Sequence, residues 1–143
     1  MTFYVDGTTG LTFNNGTTQN SAGQVLQVVQ SASSSSSSTT SSSWVSTGIS
    51  ASITPKFASS RILIMINLTG GTNGGIYNFT LYRNGSQLSG AVGATAGSRL
   101  LITSSAGSGG TGSEESASFN YLDSPATTSA TTYSVRLGHD TGA

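Results

Sequence analysis

Cysteine is absent and charge nearly so: five Lys or Arg and five Asp or Glu residues stand in a chain of 143. Without cysteine there are no disulfides and no thiolate metal sites. A balance of five positive and five negative side chains gives no electrostatic footprint for DNA or RNA. Scarce titratable groups also argue against catalysis, which gathers such groups in a pocket. We therefore expect no enzyme, no catalytic residues, no cofactor and no metal. No apolar run approaches the roughly 20 residues of a membrane helix, so no membrane insertion is expected. Residues Met1 to Asp6 lack the basic and apolar regions of a signal peptide.

What remains is mostly Ser, Thr, Asn, small apolar residues and 19 glycines. Short polar side chains bond to nearby backbone and so avoid helix interiors. β-Branched and aromatic residues, which favour the pleated strand, supply much of the apolar remainder. Leu, Ile, Val and Phe number 29, about one fifth of the chain. That lies close to the composition of disordered segments, roughly 20%, but the net charge of zero does not. A folded chain with so thin a core often completes it from a neighbouring subunit. An obligate oligomer is expected.

Three regions follow along the chain. Residues 1–30 begin with a small β-hairpin, in which Phe3-Tyr4-Val5 and Leu11-Thr12-Phe13 flank the turn dipeptide Asp6-Gly7 and precede Asn15-Gly16. One hairpin is marginal alone, so it must dock on something. Gln24 to Gln30 reads as a strand or short shaft segment. Residues 31–43 are nearly pure Ser and Thr and are expected as a linker, the alternative being a long surface loop.

Residues 44–143 carry a regular rhythm of strands and turns. Ile49, Ala51 and Ile53 share a face before Pro55. Arg61 to Leu68 is the most apolar stretch and reads as a buried central strand. Tyr77, Phe79 and Leu81 alternate with Asn78, Thr80 and Tyr82, and Asn84-Gly85 supplies a tight turn. Further strands are expected near Gln87 to Val92, at Arg99 to Thr103, at Ala117 to Tyr121 and at Tyr133 to Leu137. Seven short strands without helical periodicity predict an all-β fold, an antiparallel β-sandwich or jelly roll.

Few residues suggest chemistry. Gly107 to Gly112 matches G-x-G-x-x-G, but a strand rather than a helix follows, so it reads as a flexible loop. His139, beside Asp140, is the single histidine, and without a G-x-S-x-G sequence it reads as an exposed tail residue. Glu114-Glu115 reads as a solvated pair rather than a metal or glycosidase site. Four Asn-x-Ser/Thr sequons, at Asn15, Asn67, Asn78 and Asn84, are what a chain rich in these residues produces by chance. Trp44 is expected to anchor packing. Tyr82, Arg83 and Asn84 combine aromatic, guanidinium and amide groups at a strand end. That set suits recognition of a sugar or protein, or an inter-subunit contact made by Tyr82.

Two segments resemble a known class. Asp6 to Gln19 is similar to the F-x-D-G-T-x-Q segment of bacteriophage tail-fibre and collar-fibre proteins, with Asn15 where aspartate is usual. Trp44 to Pro55, Leu81 to Gly85 and Tyr121 to Thr128 resemble small β-domains in fibre and virion proteins of marine and cyanobacterial phages. The resemblance implies a virion protein made in the host cytoplasm. Its head would be a jelly roll similar to the tumour-necrosis-factor type, packed as a homotrimer. Residues 1–30 would attach it to other virion proteins, with Phe3, Val5, Leu11 and Phe13 as anchor candidates. Tyr82, Arg83 and Asn84 would face a receptor such as a host cell-surface glycan or lipopolysaccharide. The alternative is a head-decoration, collar or neck fibre with a purely stabilising role. Such domains commonly continue past the Tyr133 to Arg136 segment, so an exposed edge is expected there, covered by a neighbouring chain or a further strand.

Overall fold

The computed structural model describes residues 4–6, 10–12, 18–19, 25–72, 75–94, 97, 99–107 and 113–140. All regular structure among them is strand, apart from one 3-10 turn at Ser89–Ala91. At the N-terminus, β1 (Tyr4–Asp6), β2 (Gly10–Thr12) and β3 (Thr18–Gln19) form an antiparallel three-stranded sheet rather than a single hairpin. Val5 and Leu11 are register partners in it. Phe3, Phe13 and the turns at Gly7 and Asn15-Gly16 lie outside the described residues.

The remainder builds two facing sheets. One contains β4 (Val45–Ile53), β10 (Thr131–Asp140), β6 (Ile76–Arg83) and β7 (Ser86–Gln87) in that order, with β8 (Ser104–Ala106) also paired to β6. The other, among the described residues, is β5 (Ile62–Thr72) against β9 (Ser113–Asp123), in register from Ile62–Asp123 to Thr72–Ser113. All pairings are antiparallel. The fold is an all-β antiparallel sandwich.

Period-two alternation sets the interior. Phe79 and Leu81 of β6, and Tyr133, Val135 and Leu137 of β10, point at Ile64 and Leu68 of β5 and Ala117 of β9. Ile49 and Ile53 of β4 pack on the same core. Apolar burial at these positions is the main stabilising contribution, about 25 cal/mol per Å² removed from water. The anticipated turn is present: Asn84 (φ 49°) and Gly85 (φ 83°) close the β6–β7 hairpin, both in the left-handed region that a two-residue turn of this type demands.

Several expectations are corrected. Arg61 to Leu68 is not a buried central strand. β5 pairs only with β9, and its outward Leu63 and Met65 are 61% and 74% exposed. A continuous apolar run normally means cover on both faces, and here the described residues leave Leu63 and Met65 of one face exposed. Gln87 to Val92 is strand only at Ser86–Gln87 and then turns. Arg99 to Thr103 is not strand; pairing with β6 resumes at β8 instead. The 88–103 excursion leaves and rejoins one edge of β6, where Leu88 N–H donates to Leu81 O and Thr103 N–H to Phe79 O. Its cover buries Asn78 and Thr80 on the outer face, which alternation alone would leave in water. Gln87 Nε2 satisfies that face by donating to Thr80 Oγ1 and Leu101 O, each at 2.8 Å. Trp44 and Leu100 lie over Gly138, where a Cβ would sit 3.1 Å from either side chain, so Trp44 packs closely against the sheet.

The C-terminal strand leaves no open edge, because β10 is bonded on both sides, to β4 and β6. The β4 partnership contains a bulge. Ser134 pairs with Ser50 but Arg136 with Ser46, and Gly48 (φ 78°) absorbs the extra residues while Thr47 Oγ1 donates to Val135 O at 2.8 Å. The Ser/Thr stretch 31–43 has no regular structure and is mostly exposed, yet it is tied to the sandwich where His139 N–H donates to Ser41 O at 2.9 Å. Leu81, fully buried between the sheets, tests this core. Leu81→Ala should cost about 2–5 kcal/mol in urea unfolding. A loss well under 1 kcal/mol would mean the sheets do not close over it.

Candidate functional site

Tyr82, Arg83 and Asn84 do not converge, because alternation sends the first two to opposite faces of β6. Tyr82 lies on the outer face, and the Arg136 guanidinium sits 4.4 Å from its ring centroid in a cation–π contact. Asn84 occupies the turn, where its Oδ1 accepts the Thr132 N–H at 2.8 Å and ties the hairpin to β10. Arg83 points inward, in line with Leu81 and Phe79, and meets Asp123 at the end of β9.

Arg83 Nη1 donates to Asp123 Oδ2 at 2.8 Å and to Oδ1 at 3.0 Å. The Tyr133 hydroxyl donates to the same Oδ2 at 2.6 Å. Asp123 is only 5% exposed, and Arg83 joins it to solvent with 37% of its side chain exposed. This is the one salt bridge among the described residues. The hydrogen bond to Asp123 raises the Arg83 pKa further above its ordinary value. Burial, followed by the hydrogen bond to Asp123, pushes the Tyr133 phenol well above the ordinary tyrosine value of 10.0.

A cleft of about 600 Å³ opens beside this trio, between the β6–β7 hairpin, the Ser89–Ala91 turn and the end of β9. Arg83, Ser86, Ser89, Tyr121 and Ser124 line it. Gly90 comes so close to the Tyr121 hydroxyl that a Cβ there would overlap it. A second groove, of about 850 Å³, runs between β4 and β5, and its lining includes Tyr133 and Ile62, the cross-strand partner of Asp123. The extended Val25–Ser31 segment lies along it, and Leu63 and Met65 share its lining.

The remaining candidates have structural partners. His139 is not an exposed tail residue: it lies within β10, half-buried, with its ring edge-to-face with Tyr77 at 5.6 Å. Glu114 and Glu115 are strand residues rather than a loop pair, and Glu115 Oε2 accepts the Gly107 N–H at 2.6 Å. Residues 108–112 of the glycine-rich sequence lie outside the described residues, and β9 follows them. Among the described residues no three His, Asp or Glu side chains gather in a metal-binding group. No helix among them is long and apolar enough to cross a membrane.

Asp123, Tyr121 and Tyr133 were absent from the sequence candidates around Arg83. The available signal was parity: Arg83 shares the core-facing phase of Tyr77, Phe79 and Leu81, and an inward guanidinium requires an anionic partner. Comparison with protein-family models, with curated proteins and with solved structures finds no match.

The raised Tyr133 pKa fixes a pH dependence. Between 10.0 and its folded value the unfolded chain releases the phenolic proton and the folded chain keeps it. This contribution is therefore intact below pH 10 and declines as pH rises beyond it. Urea titrations at pH 8 and pH 11 should show that decline in the wild type and a smaller one in Tyr133→Phe. Equal slopes would remove Tyr133 from the account.

Proposed function

We propose that this chain is a non-enzymatic subunit of a bacteriophage virion fibre, homotrimeric, presenting its β-sandwich for attachment to the host surface. The observation that carries the reading is the uncovered apolar surface of the smaller sheet. Leu63 and Leu122 are cross-strand partners on its outer face, with Met65 beside them, and all three are exposed. Val25 and Val28 of the segment lining the same groove as Met65 are exposed as well. No charged side chain interrupts the outward face of β5 from Leu63 to Thr69. Water-facing apolar clusters of this kind mark association surfaces, and further copies of this chain would bury them.

The resemblance of Asp6 to Gln19 and of the three downstream segments to phage fibre proteins supports a place on the virion. In this reading the sandwich is a jelly roll of the tumour-necrosis-factor type. Residues 1–30, including Phe3, Val5, Leu11 and Phe13, hold the fibre to its neighbours. Three copies on one axis multiply weak contacts with a glycan or lipopolysaccharide, raising apparent affinity by about 10²–10⁴.

Two measurements test the reading. The thermal midpoint of the wild type should rise with protein concentration, as it must when folding is linked to association. Met65→Glu should lower that midpoint and weaken its dependence on concentration. A concentration-independent wild type would count against the oligomer. Particles lacking the chain should adsorb to host cells more slowly than complete ones. Normal adsorption with reduced heat resistance would replace attachment by the stabilising role of a decoration, collar or neck fibre.

A further inference from the structure

We infer that the cleft beside Arg83 and Asp123 is a saccharide subsite that takes an uncharged pyranose through neighbouring hydroxyl groups. The inference rests on the attachment reading and names the ligand class and the place where it docks.

The first support is the use of scarce charge. A chain with five acidic residues buries one of them, Asp123, to 95% at the rim of an open cleft. An ion pair with its carboxylate buried is a weak stabiliser, since desolvating Asp123 offsets much of the attraction. Apolar residues would close the end of a sandwich more effectively. What the pair does accomplish is to fix a guanidinium. Asp123 holds Arg83 through Nη1 alone, and Tyr133 holds Asp123 in turn. The Arg83 side chain nevertheless stays 37% open to solvent. The planar guanidinium is thus anchored while part of it stays accessible from the cleft it lines, so little ordering is left for a ligand to cause.

The second support is the chemistry of the lining. Beyond the compensated pair the cleft contains no charge; it offers Asn84, Ser86, Ser89 and Ser124 as small hydrogen-bonding groups. Tyr121, whose ring packs on the core, brings its hydroxyl end and ring edge to the cleft against Gly90, which has no Cβ. A pyranose has this same mixture: hydroxyls that both donate and accept, and C–H groups that pack on an aromatic edge. Vicinal hydroxyls can accept from the Arg83 donors while donating to serine oxygens. A carboxylate or phosphate would gain Arg83 but meet the Asp123 charge behind it. The ligand is therefore neutral. A volume of about 600 Å³ is sufficient for one or two sugar rings.

The test is an amide and Arg Nε–H chemical-shift titration of the full chain. Its probes are the methyl glycosides of glucose, galactose and mannose, with N-acetylneuraminic acid and inorganic phosphate as anionic controls. At least one neutral glycoside should shift Arg83 Nε–H together with Ser86, Ser89 and Ser124, and bind more tightly than either anion. Ser89→Trp, an exposed position outside the ion pair, should weaken that response by about tenfold or more with other resonances unchanged. No response to any neutral glycoside, stronger binding of an anion, or an undiminished response in Ser89→Trp would each overturn the inference. Its failure is separable from that of the attachment reading. Cell binding by the wild type that persists in Ser89→Trp removes the cleft alone. Glycoside binding in the cleft by a chain that binds no cells removes attachment alone.

Discussion

The structure depends on an imbalance between its two sheets. Among the described residues a broad sheet centred on β10 and β6 is faced by two strands, β5 and β9. That pair must supply the entire opposing wall, so its inward positions carry Ile64, Leu68 and Ala117, with Phe119 and Tyr121 behind them. The wall is too narrow to close both sides. The β4–β5 side stays open as a groove, with only the unpaired Val25–Ser31 segment along it. The outward face of β5 then keeps apolar residues where a solvated strand would carry polar ones.

The end of β6 beyond Leu81 meets a different constraint. Alternation carries Arg83 inward one position past the core residue Leu81, where a guanidinium has no apolar neighbourhood to accept it. Asp123 and Tyr133 complete a hydrogen-bonded unit around it, and the 3-10 turn after β7 bounds a polar cleft there. The wide groove is apolar and the small cleft polar.

Much of the fold was legible in the sequence because period two is a local signal. Tyr77-Phe79-Leu81 and Tyr133-Val135-Leu137 gave the correct inward phase, and Asn84-Gly85 gave the turn. Errors arose where tertiary contacts decide. Nothing local distinguishes Arg61 to Leu68 as an edge-exposed strand from a buried one, since outward Leu63 and Met65 look like core residues. The burial of Asn78 and Thr80 depends on a loop twenty residues away folding back over them. His139 and Glu115 looked solvated because their partners, Tyr77 and Gly107, are not visible in the local pattern. Tyr82, Arg83 and Asn84 were recognised as a notable cluster, but adjacency in sequence means opposite faces on a strand. The surroundings of Arg83, built from the ends of β9 and β10, come from long-range pairing that one sequence does not reveal.

The central claim is that several copies of this chain share one interior. Sedimentation equilibrium on the purified full-length chain addresses it directly. The account predicts a particle of three times the 14.4 kDa chain mass, persisting at micromolar concentration. A stable, fully folded species of single-chain mass would contradict it.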